Sequence, residues 1–270
     1  MLPILLVTFP FFALVAAGYV AARRHMLPLP AIPGLNGFVL YFALPAMLYR
    51  FGSTTPIASL LDMGVFSVYL FCGLVMVGFA VATTLGGRIG WNDASIGALV
   101  AAFPNTGFMG VPLLAALVGP HSVGTVIVVI VVDMVVTSSL CIALSRLDQG
   151  EGGAMAAAKN ALKGVLTNPM PWAIVLGGVA SAIELQLPAP IEKTLWLLAD
   201  AASPVALFTI GAVLARSQMQ SSRPSPWQDY VPVALMKLLL HPMLVMLVGA
   251  SAIQLGMPLK PETLTIMVLV

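Results

Sequence analysis

The chain has 270 residues, of which 60% are hydrophobic and 8% are charged, and its net charge at pH 7 is +2. Soluble domains carry about 25% charged residues, so the composition excludes an ordinary water-soluble fold and indicates that lipid covers much of the surface. The basic residues are scattered over short segments, which gives no indication of nucleic-acid binding. Cys72 and Cys141 both lie inside apolar runs, which argues against a disulfide framework and against a metal site.

Apolar segments long enough to cross a membrane follow one another along the chain. A bilayer core of ~30 Å needs ~20 apolar residues per helix. We predict spans at about 3–22, 34–52, 63–86, 94–118, 122–145, 169–186, 194–215 and 230–255, with a ninth that begins near Pro261. A helix that stops at Val270 would leave carbonyl groups unsatisfied in the hydrocarbon. We therefore expect the sequence to be part of a longer chain that completes this span and adds one more.

The first span does not have the pattern of a cleaved signal peptide, because its basic residues, Arg23 and Arg24, follow the apolar run instead of preceding it.

The loops between the spans differ in how many basic residues they contain. The odd-numbered loops hold eight, namely Arg23, Arg24, Arg88, Arg146, Lys159, Lys163, Arg216 and Arg223, and the even-numbered loops hold Arg50, Lys193 and Lys260. Because basic loops stay in the cytoplasm, this distribution predicts odd loops inside and the N-terminus outside.

Two segments of the chain match at an offset of 159 residues, the difference between positions 45 and 204. LPAMLYRFG in span two and SPVALFTIG in span seven place Pro45 opposite Pro204 and Gly52 opposite Gly211. A chance match is the alternative. If the repeat is real, its unit has five spans, and an odd number of spans inverts the second copy. Inverted repeats are typical of secondary transporters.

The repeat predicts three regions in the chain. They are a first five-helix repeat at 1–146, a cytoplasmic connecting loop at 147–168 and a second, incomplete repeat at 169–270.

The fourth span contains the run PNTGFMGVP, in which two prolines and two glycines fall within nine residues. Proline removes a backbone donor and glycine adds backbone freedom, so we expect the helix to be interrupted there. A half-helix that starts near Thr106 would present free N–H groups and a positive dipole end, which suit a carboxylate. A simple proline kink is the alternative. The candidate substrate-binding residues are Pro104, Asn105, Thr106 and Gly107, and further helix breaks are predicted at Pro45, Pro112 and Pro204.

Three ionisable residues lie inside predicted spans. Asp133 is deep in span five, and because a lone carboxylate in lipid is costly, it should face the bundle interior or a cavity. Lys237 and His241 are four residues apart in span eight. Asp133 is a candidate for coupling to H⁺ or Na⁺, and Lys237 and His241 are candidate charge partners of an anionic substrate. The alternatives are a structural hydrogen bond for Asp133, a snorkelling side chain for Lys237 and a packed polar group for His241.

The run FPNTGFMGVPLL, with LNGFVLYFALPAMLYRFG upstream, resembles the auxin efflux carrier family, including its bacterial malonate-transporter-like members. The resemblance implies an all-α integral membrane protein of the bacterial inner membrane, a ten-span bundle of two inverted five-helix repeats, similar in fold to the bile acid/sodium symporter-like superfamily. It also implies that helices four and nine are broken and cross at the substrate site. Pro104, Asn105 and Thr106 would fall at that crossing, and its other half would lie beyond Val270.

The function that these features favour is secondary active transport of a small mono- or dicarboxylate such as malonate, without a cofactor or a metal-binding centre and with H⁺ and Na⁺ as the candidate coupling ions. Its partners would be the carboxylate and membrane lipid, and a homodimer is left open. A channel or a membrane sensor is the alternative. An intramembrane aspartyl protease, the enzyme alternative, would need Asp133 and Asp200 as its pair, and neither has the flanking glycine expected of such enzymes. We therefore predict that the protein is not an enzyme.

Overall fold

The fold is that of a helical membrane protein. A computed structural model describes residues 2–55, 62–145, 147, 159, 163, 166–220 and 226–270, and every regular element among them is helical. This confirms the predicted all-α class. Arg146, Arg223 and most of the predicted connecting loop at 147–168 lie outside the described residues.

The helices follow the predicted spans closely. In chain order they are α1 (Leu2–Arg23), α2 (Leu29–Thr54), α3 (Met63–Thr84), α4 (Trp91–Ala102), α5 (Val111–Leu117), α6 (Ser122–Leu144), α7 (Pro169–Ala182), α8 (Ala189–Gln220), α9 (Trp227–Gln254) and α10 (Pro261–Leu269). Six of the described helices, α1, α2, α3, α6, α8 and α9, are long and apolar enough to cross a membrane. The ten-span arrangement stays a prediction.

Wide π-helical turns interrupt the regular helical pattern at four described places: Val39–Ala43 in α2, Thr106–Gly110 before α5, Val132–Thr137 in α6 and Met236–Leu240 in α9. A proline stands at the second residue after three of them, as Pro45, Pro112 and Pro242. A proline ring clashes with the carbonyl group four residues earlier. That carbonyl lies in the π turn in each case, so the wider turn makes room for the ring.

The predicted helix breaks need correction at two prolines. At Pro45 the structure has a widened turn within one helix, because α2 continues from Leu29 to Thr54. At Pro204 the predicted break is wrong, since α8 runs from Ala189 to Gln220 with Pro204 inside it. The loss of one backbone hydrogen bond does not end a helix of 32 residues whose other turns remain bonded.

The helices group into two compact units, which we call unit 1 and unit 2. Unit 1 comprises Met1–Ile57, Gly107–Val123 and Trp172–Ser225, and unit 2 comprises Ala58–Thr106, Gly124–Pro171 and Pro226–Val270. Unit 1 therefore contains α1, α2, α5, α7 and α8, and unit 2 contains α3, α4, α6, α9 and α10. Each unit combines segments from both halves of the chain, so the units are not the two predicted sequence repeats. The division into repeats stays a prediction.

In unit 1, α1 and α8 pack with their backbones in close contact at two glycines. A Cβ atom added to Gly18 would overlap the carbonyl oxygen of Phe208, and one added to Gly211 would overlap the carbonyl oxygen of Val15. Glycine at such crossings lets helices approach closely in a membrane. The α1–α8 contact therefore depends on the absence of two side chains.

The contact between α2 and α7 in unit 1 has the same construction. A Cβ atom added to Gly177 would overlap the carbonyl oxygen of Tyr49, and one added to Gly52 would lie 2.9 Å from the carbonyl oxygen of Ile174. The offset of 159 residues that relates Pro45 to Pro204 also relates each residue of one contact to a residue of the other. The four pairs are Gly18 with Gly177, Tyr49 with Phe208, Val15 with Ile174, and Gly52 with Gly211. These contacts agree with the repeat that the sequence predicts.

An exposed ion pair also joins α2 to α8 in unit 1. The Arg50 Nη1 atom lies 2.6 Å from Asp200 Oδ1, and the guanidinium carbon lies 5.3 Å from the centre of the Trp196 ring. The two charged side chains are 36% and 67% exposed. The ion pair is therefore not buried, although Arg50 is less exposed than Asp200.

Unit 2 has an apolar core built from four helices and the segment before α10. Tyr69 and Cys72 of α3 pack there with Val132 of α6, Val245 of α9 and Met267 of α10. A second cluster packs α3 against the small residues of α4 and the end of α6, through Met76, Ala98 and Cys141. Tyr69, a member of the first cluster, donates a hydrogen bond to the buried Asp133 of α6.

Candidate functional site

The chain is interrupted between α4 and α5, as the sequence predicts for this segment. α4 ends at Ala102, and the next residue, Phe103, is extended with φ −97° and ψ 104°. A residue that precedes proline is driven out of the helical region by the proline ring, so Pro104 explains the end of α4. Residues 103–105 are not helical, and the chain turns helical again at Thr106.

The candidate substrate-binding residues differ in burial. Pro104 is half-buried and Asn105 is exposed, whereas Thr106 is buried, with 1% of its surface exposed. Among the described residues, no group forms a hydrogen bond with the Thr106 Oγ1 atom. A buried hydroxyl group without a partner is costly, so this atom is available to a bound molecule. Gly107, the fourth candidate, belongs to unit 1, where an added Cβ atom would make an ordinary 3.8 Å contact with Met47 Cε.

Lys237 of α9 binds the end of α4. Its ammonium nitrogen lies 2.7 Å from the Phe103 carbonyl oxygen and 3.1 Å from the Val100 carbonyl oxygen. The last carbonyl groups of a helix have no partner within the helix and attract cations. This contact places the positive charge of Lys237 beside the interruption, next to the peptide bond that precedes Pro104.

Asp133 of α6 is buried in unit 2, with 1% of its surface exposed. The Tyr69 hydroxyl group of α3 donates to Oδ2 over 3.3 Å, and the Thr137 hydroxyl group donates to Oδ1 over 3.2 Å. Among the described residues Asp133 has no ion-pair partner. Its carboxyl group is therefore held by two neutral donors.

His241 lies one turn after Lys237 on α9 and is also buried. Its ring centre is 5.6 Å from that of Tyr69, and the two rings are tilted by 54°. Within the described part of the chain the His241 Nε2 atom has no hydrogen-bond partner. Tyr69 thus contacts both His241 and Asp133, and it connects two of the predicted ionisable residues.

The polar groups of unit 2 form two neighbouring sets. We call Asp133, Tyr69, Thr137 and His241 the carboxyl cluster, and we call Phe103, Pro104, Asn105, Thr106 and Lys237 the α4 terminus. Lys237 and Asp133 each lie in a π-helical turn, a feature that is frequent at functional sites. One set offers a cation and polar donors to an anion, and the other offers a carboxyl group to a proton or a cation.

The sequence itself decides the class of protein. Residues 3–269 match the family described as "Membrane transport protein". The chain belongs to this membrane transport protein family. It is therefore an integral membrane transporter, and the predictions of a transmembrane protein and of a transporter are confirmed at that level.

Named relatives of this transporter agree with the resemblance predicted from its motifs. It is 30% identical over 246 residues, covering 88% of the chain and 74% of the relative, to a Rhizobium meliloti (strain 1021) protein named "Putative malonate transporter". It is 28% identical over 267 residues, covering 96% and 81%, to "Uncharacterized transporter YfdV" of Escherichia coli (strain K12). It is 22% identical over 261 residues, covering 77% and 71%, to "Auxin efflux carrier component 8" of Arabidopsis thaliana. The predicted relation to auxin efflux carriers is confirmed.

Sequence reasoning about this transporter missed Tyr69 as a site residue. A signal was present, because a buried tyrosine usually finds a hydrogen-bond partner for its hydroxyl group, and Tyr69 lies in a span that is mostly apolar. The partners of Lys237 carried no such signal. Its contacts are to backbone carbonyl groups of α4, which no residue type in the sequence could identify.

Proposed function

We propose that this transporter is a secondary active carrier of small organic anions, specifically mono- or dicarboxylates of the malonate type. The observation that carries the proposal is the interrupted helix after α4 with the Lys237 ammonium group bound at its end. A positive charge beside exposed backbone and polar side chains is the arrangement that a carboxylate requires. The name of the Rhizobium meliloti relative supports malonate as the first substrate to test.

The anion would bind at the α4 terminus. Asn105 is exposed and its amide group can donate to a carboxylate, and the Thr106 hydroxyl group has no partner among the described residues. Lys237 would contribute its charge, and its third N–H remains beyond the two that bind carbonyl groups. Together these three side chains would supply a positive charge and directional hydrogen bonds to one carboxylate group.

The driving ion would act at the carboxyl cluster. Asp133 is the buried acidic residue of the described part of unit 2, and two hydroxyl groups already orient its oxygens. Hydroxyl groups can donate to a carboxylate or accept from a carboxylic acid, so the cluster can hold Asp133 with or without a proton. The same oxygens can also coordinate Na⁺. We propose Asp133 as the coupling residue, with H⁺ and Na⁺ as the two ions to compare.

The experiment is uptake of radiolabelled malonate into proteoliposomes that contain the purified full-length protein. Uptake is measured with a proton gradient, with a sodium gradient and with neither, and counterflow is measured at equal concentrations. We expect saturable uptake that one gradient stimulates, together with counterflow. Uptake that rises linearly with concentration and shows no counterflow would instead support a channel.

Asp133→Asn tests the coupling role in the same preparation. We expect the variant to keep counterflow and to lose stimulation by the gradient, because binding of the anion would remain while the ion site is lost. The matched control is Asp93→Asn, which changes an exposed acidic residue in the first turn of α4. Full gradient stimulation in Asp133→Asn would remove this residue from the coupling site.

We also propose the bacterial inner membrane as the location, with the N-terminus outside. A cysteine at Ser217, in the exposed last part of α8, would then lie on the cytoplasmic side. Impermeant thiol reagents added to intact cells should not label it. Labelling from outside would reverse the orientation.

A further inference from the structure

His241 of α9 has a buried hydrogen-bonding atom that the proposed transport site does not use. Only 6% of its surface is exposed, and within the described part of the chain its Nε2 atom has no hydrogen-bond partner. The ring of Tyr69 contacts His241, but its hydroxyl group binds Asp133 instead. A buried ring nitrogen without a partner is costly. The Nε2 atom is therefore open to a bound molecule.

α4 and α9 run in the same direction through unit 2. Three contacts define their register, and in chain order they are Arg88 with Asp229, Gly97 with Val233, and Phe103 with Lys237. The residue numbers rise together along both helices. The chain that follows Phe103 is therefore directed toward the next turn of α9, which begins with His241.

This register brings Thr106 to about the level of His241. A helix rises about 1.5 Å per residue, so His241 lies about 6 Å along α9 from Lys237. The three residues from Phe103 to Thr106 span at most about 10 Å. Thr106 is buried, and its Oγ1 atom also has no partner among the described residues. Two unpartnered polar atoms thus belong to one level of unit 2.

α3 supports the same level independently. α3 and α4 are joined by residues 85–90 and run in opposite directions, with Met76 and Ala102 in one buried cluster. Going back along α3 from Met76 therefore corresponds to going forward from Ala102. Tyr69 lies two turns before Met76, level with the segment that follows α4, and its ring centre is 5.6 Å from that of His241.

His241 and Lys237 lie on the same side of α9. They are four residues apart, a spacing at which Cβ atoms are about 5–6 Å apart. The two hydrogen bonds from Lys237 to the end of α4 show that this side faces α4. Two donors at this spacing can reach the two ends of a short dicarboxylate.

We propose that His241 is a specificity-determining residue, whose Nε2–H group donates to the second carboxylate of a short dicarboxylate while the α4 terminus holds the first. The inference rests on the proposed anion site and narrows its substrate class from mono- or dicarboxylates to dicarboxylates. A neutral imidazole carries one N–H donor, so this contact needs no added proton. A monocarboxylate would leave the buried donor unpaired, and a site of this kind rejects an analogue that lacks the group it binds.

The experiment is competition for the binding of radiolabelled malonate to the purified full-length protein in detergent. The competitors are malonate and malonamate, in which a neutral amide of similar shape replaces one carboxylate. We expect malonate to compete at a concentration at least about fivefold lower, because a hydrogen bond to a charged group is stronger than one to a neutral group. His241→Phe keeps a ring beside Tyr69 and removes the donor, and it should reduce this ratio to less than about twofold. The matched control is His121→Phe, which changes an exposed histidine and should leave the ratio unchanged.

A second pair of variants keeps the test decisive if thermal melting shows that His241→Phe is not folded. His241→Gln retains an N–H donor on a flexible side chain, and His241→Met has a side chain of similar length without that donor. We expect His241→Gln to keep most of the preference for malonate over malonamate and His241→Met to lose it.

Four results would overturn the inference. They are equal competition by malonate and malonamate in the unchanged protein, an unchanged ratio in folded His241→Phe, an equal loss of the ratio in His121→Phe, and the same ratio in the glutamine and methionine variants.

Binding is measured without transport, so the inference and the proposed function can fail separately. A preference that depends on His241 in a protein without saturable uptake would support the inference and contradict the carrier. Gradient-stimulated uptake of malonate without the preference would do the reverse. A folded protein that binds no malonate would contradict both.

Discussion

Unit 1 and unit 2 are stabilised in different ways. In unit 1 the closest contacts are between backbones at glycines, and its Arg50–Asp200 ion pair is exposed. In unit 2 the contacts that define the site are hydrogen bonds of buried or half-buried polar side chains, such as Tyr69 to Asp133 and Lys237 to the α4 terminus. We therefore expect that adding side-chain atoms at the glycine contacts lowers the stability of unit 1. In unit 2, we expect that removing polar atoms lowers the stability.

The largest effect is expected for Gly211→Ala in unit 1. The new methyl group would overlap the carbonyl oxygen of Val15, and relief requires α1 and α8 to separate. We expect a loss of about 3 kcal/mol in the free energy of unfolding, measured by chemical denaturation in detergent micelles. The control is Gly37→Ala in α2, where no atom lies within 4 Å of the added carbon. That substitution should raise stability by roughly 0.5–1 kcal/mol, and two changes of equal sign and size would contradict the close contact.

Lys237→Met in unit 2 is expected to have the next largest effect. The substitution keeps the apolar part of the side chain and leaves the carbonyl groups of Val100 and Phe103 without their donor. We expect a loss of about 2 kcal/mol, measured in the same way. Lys260→Met, at an exposed position before α10, is the control and should change stability by less than about 0.5 kcal/mol. If the two variants unfold alike, Lys237 does not stabilise the end of α4.

Tyr69→Phe removes only the hydroxyl group that donates to Asp133. We expect a loss of about 1 kcal/mol, since one hydrogen bond is removed and the ring contact with His241 is kept. Tyr41→Phe changes an exposed tyrosine of α2 and should be neutral within error. A Tyr69→Phe protein as stable as the unchanged one would show that the hydrogen bond contributes nothing to unit 2.

The smallest effect is expected for Arg50→Ala. Its ion pair with Asp200 is exposed at both side chains, and exposed pairs contribute about 0–1 kcal/mol. The melting temperature of Arg50→Ala, measured at low and at high salt, should therefore differ little from that of the unchanged protein, whereas the melting temperature of Lys237→Met should fall. A shift as large as that of Lys237→Met would mean that a surface charge matters as much to unit 1 as a buried contact does to unit 2.

Local sequence predicted part of this structure and could not predict the rest. The interruption after α4 follows from the proline itself, because the Phe103–Pro104 step forces an extended residue. The sequence did not predict that α8 continues through Pro204. A proline in a sequence does not show whether the remaining backbone hydrogen bonds keep the helix continuous. The repeat comparison paired Gly52 with Gly211 but did not extend to Gly18 and Gly177, whose role appears only where helices meet. Likewise, the binding of Lys237 to α4 depends on packing between distant segments.

The proposed substrate site is tested most directly by the concentration dependence of malonate uptake in Asn105→Ala and Asn92→Ala proteoliposomes. Both substitutions shorten an exposed asparagine, one beyond the end of α4 and one in its first turn. We expect Asn105→Ala to raise the half-saturating malonate concentration roughly tenfold or more, as the loss of a hydrogen bond to a charged group would, and Asn92→Ala to leave it unchanged. The same half-saturation in both variants and in the unchanged protein, at equal amounts of folded protein, would show that the anion does not bind at the α4 terminus.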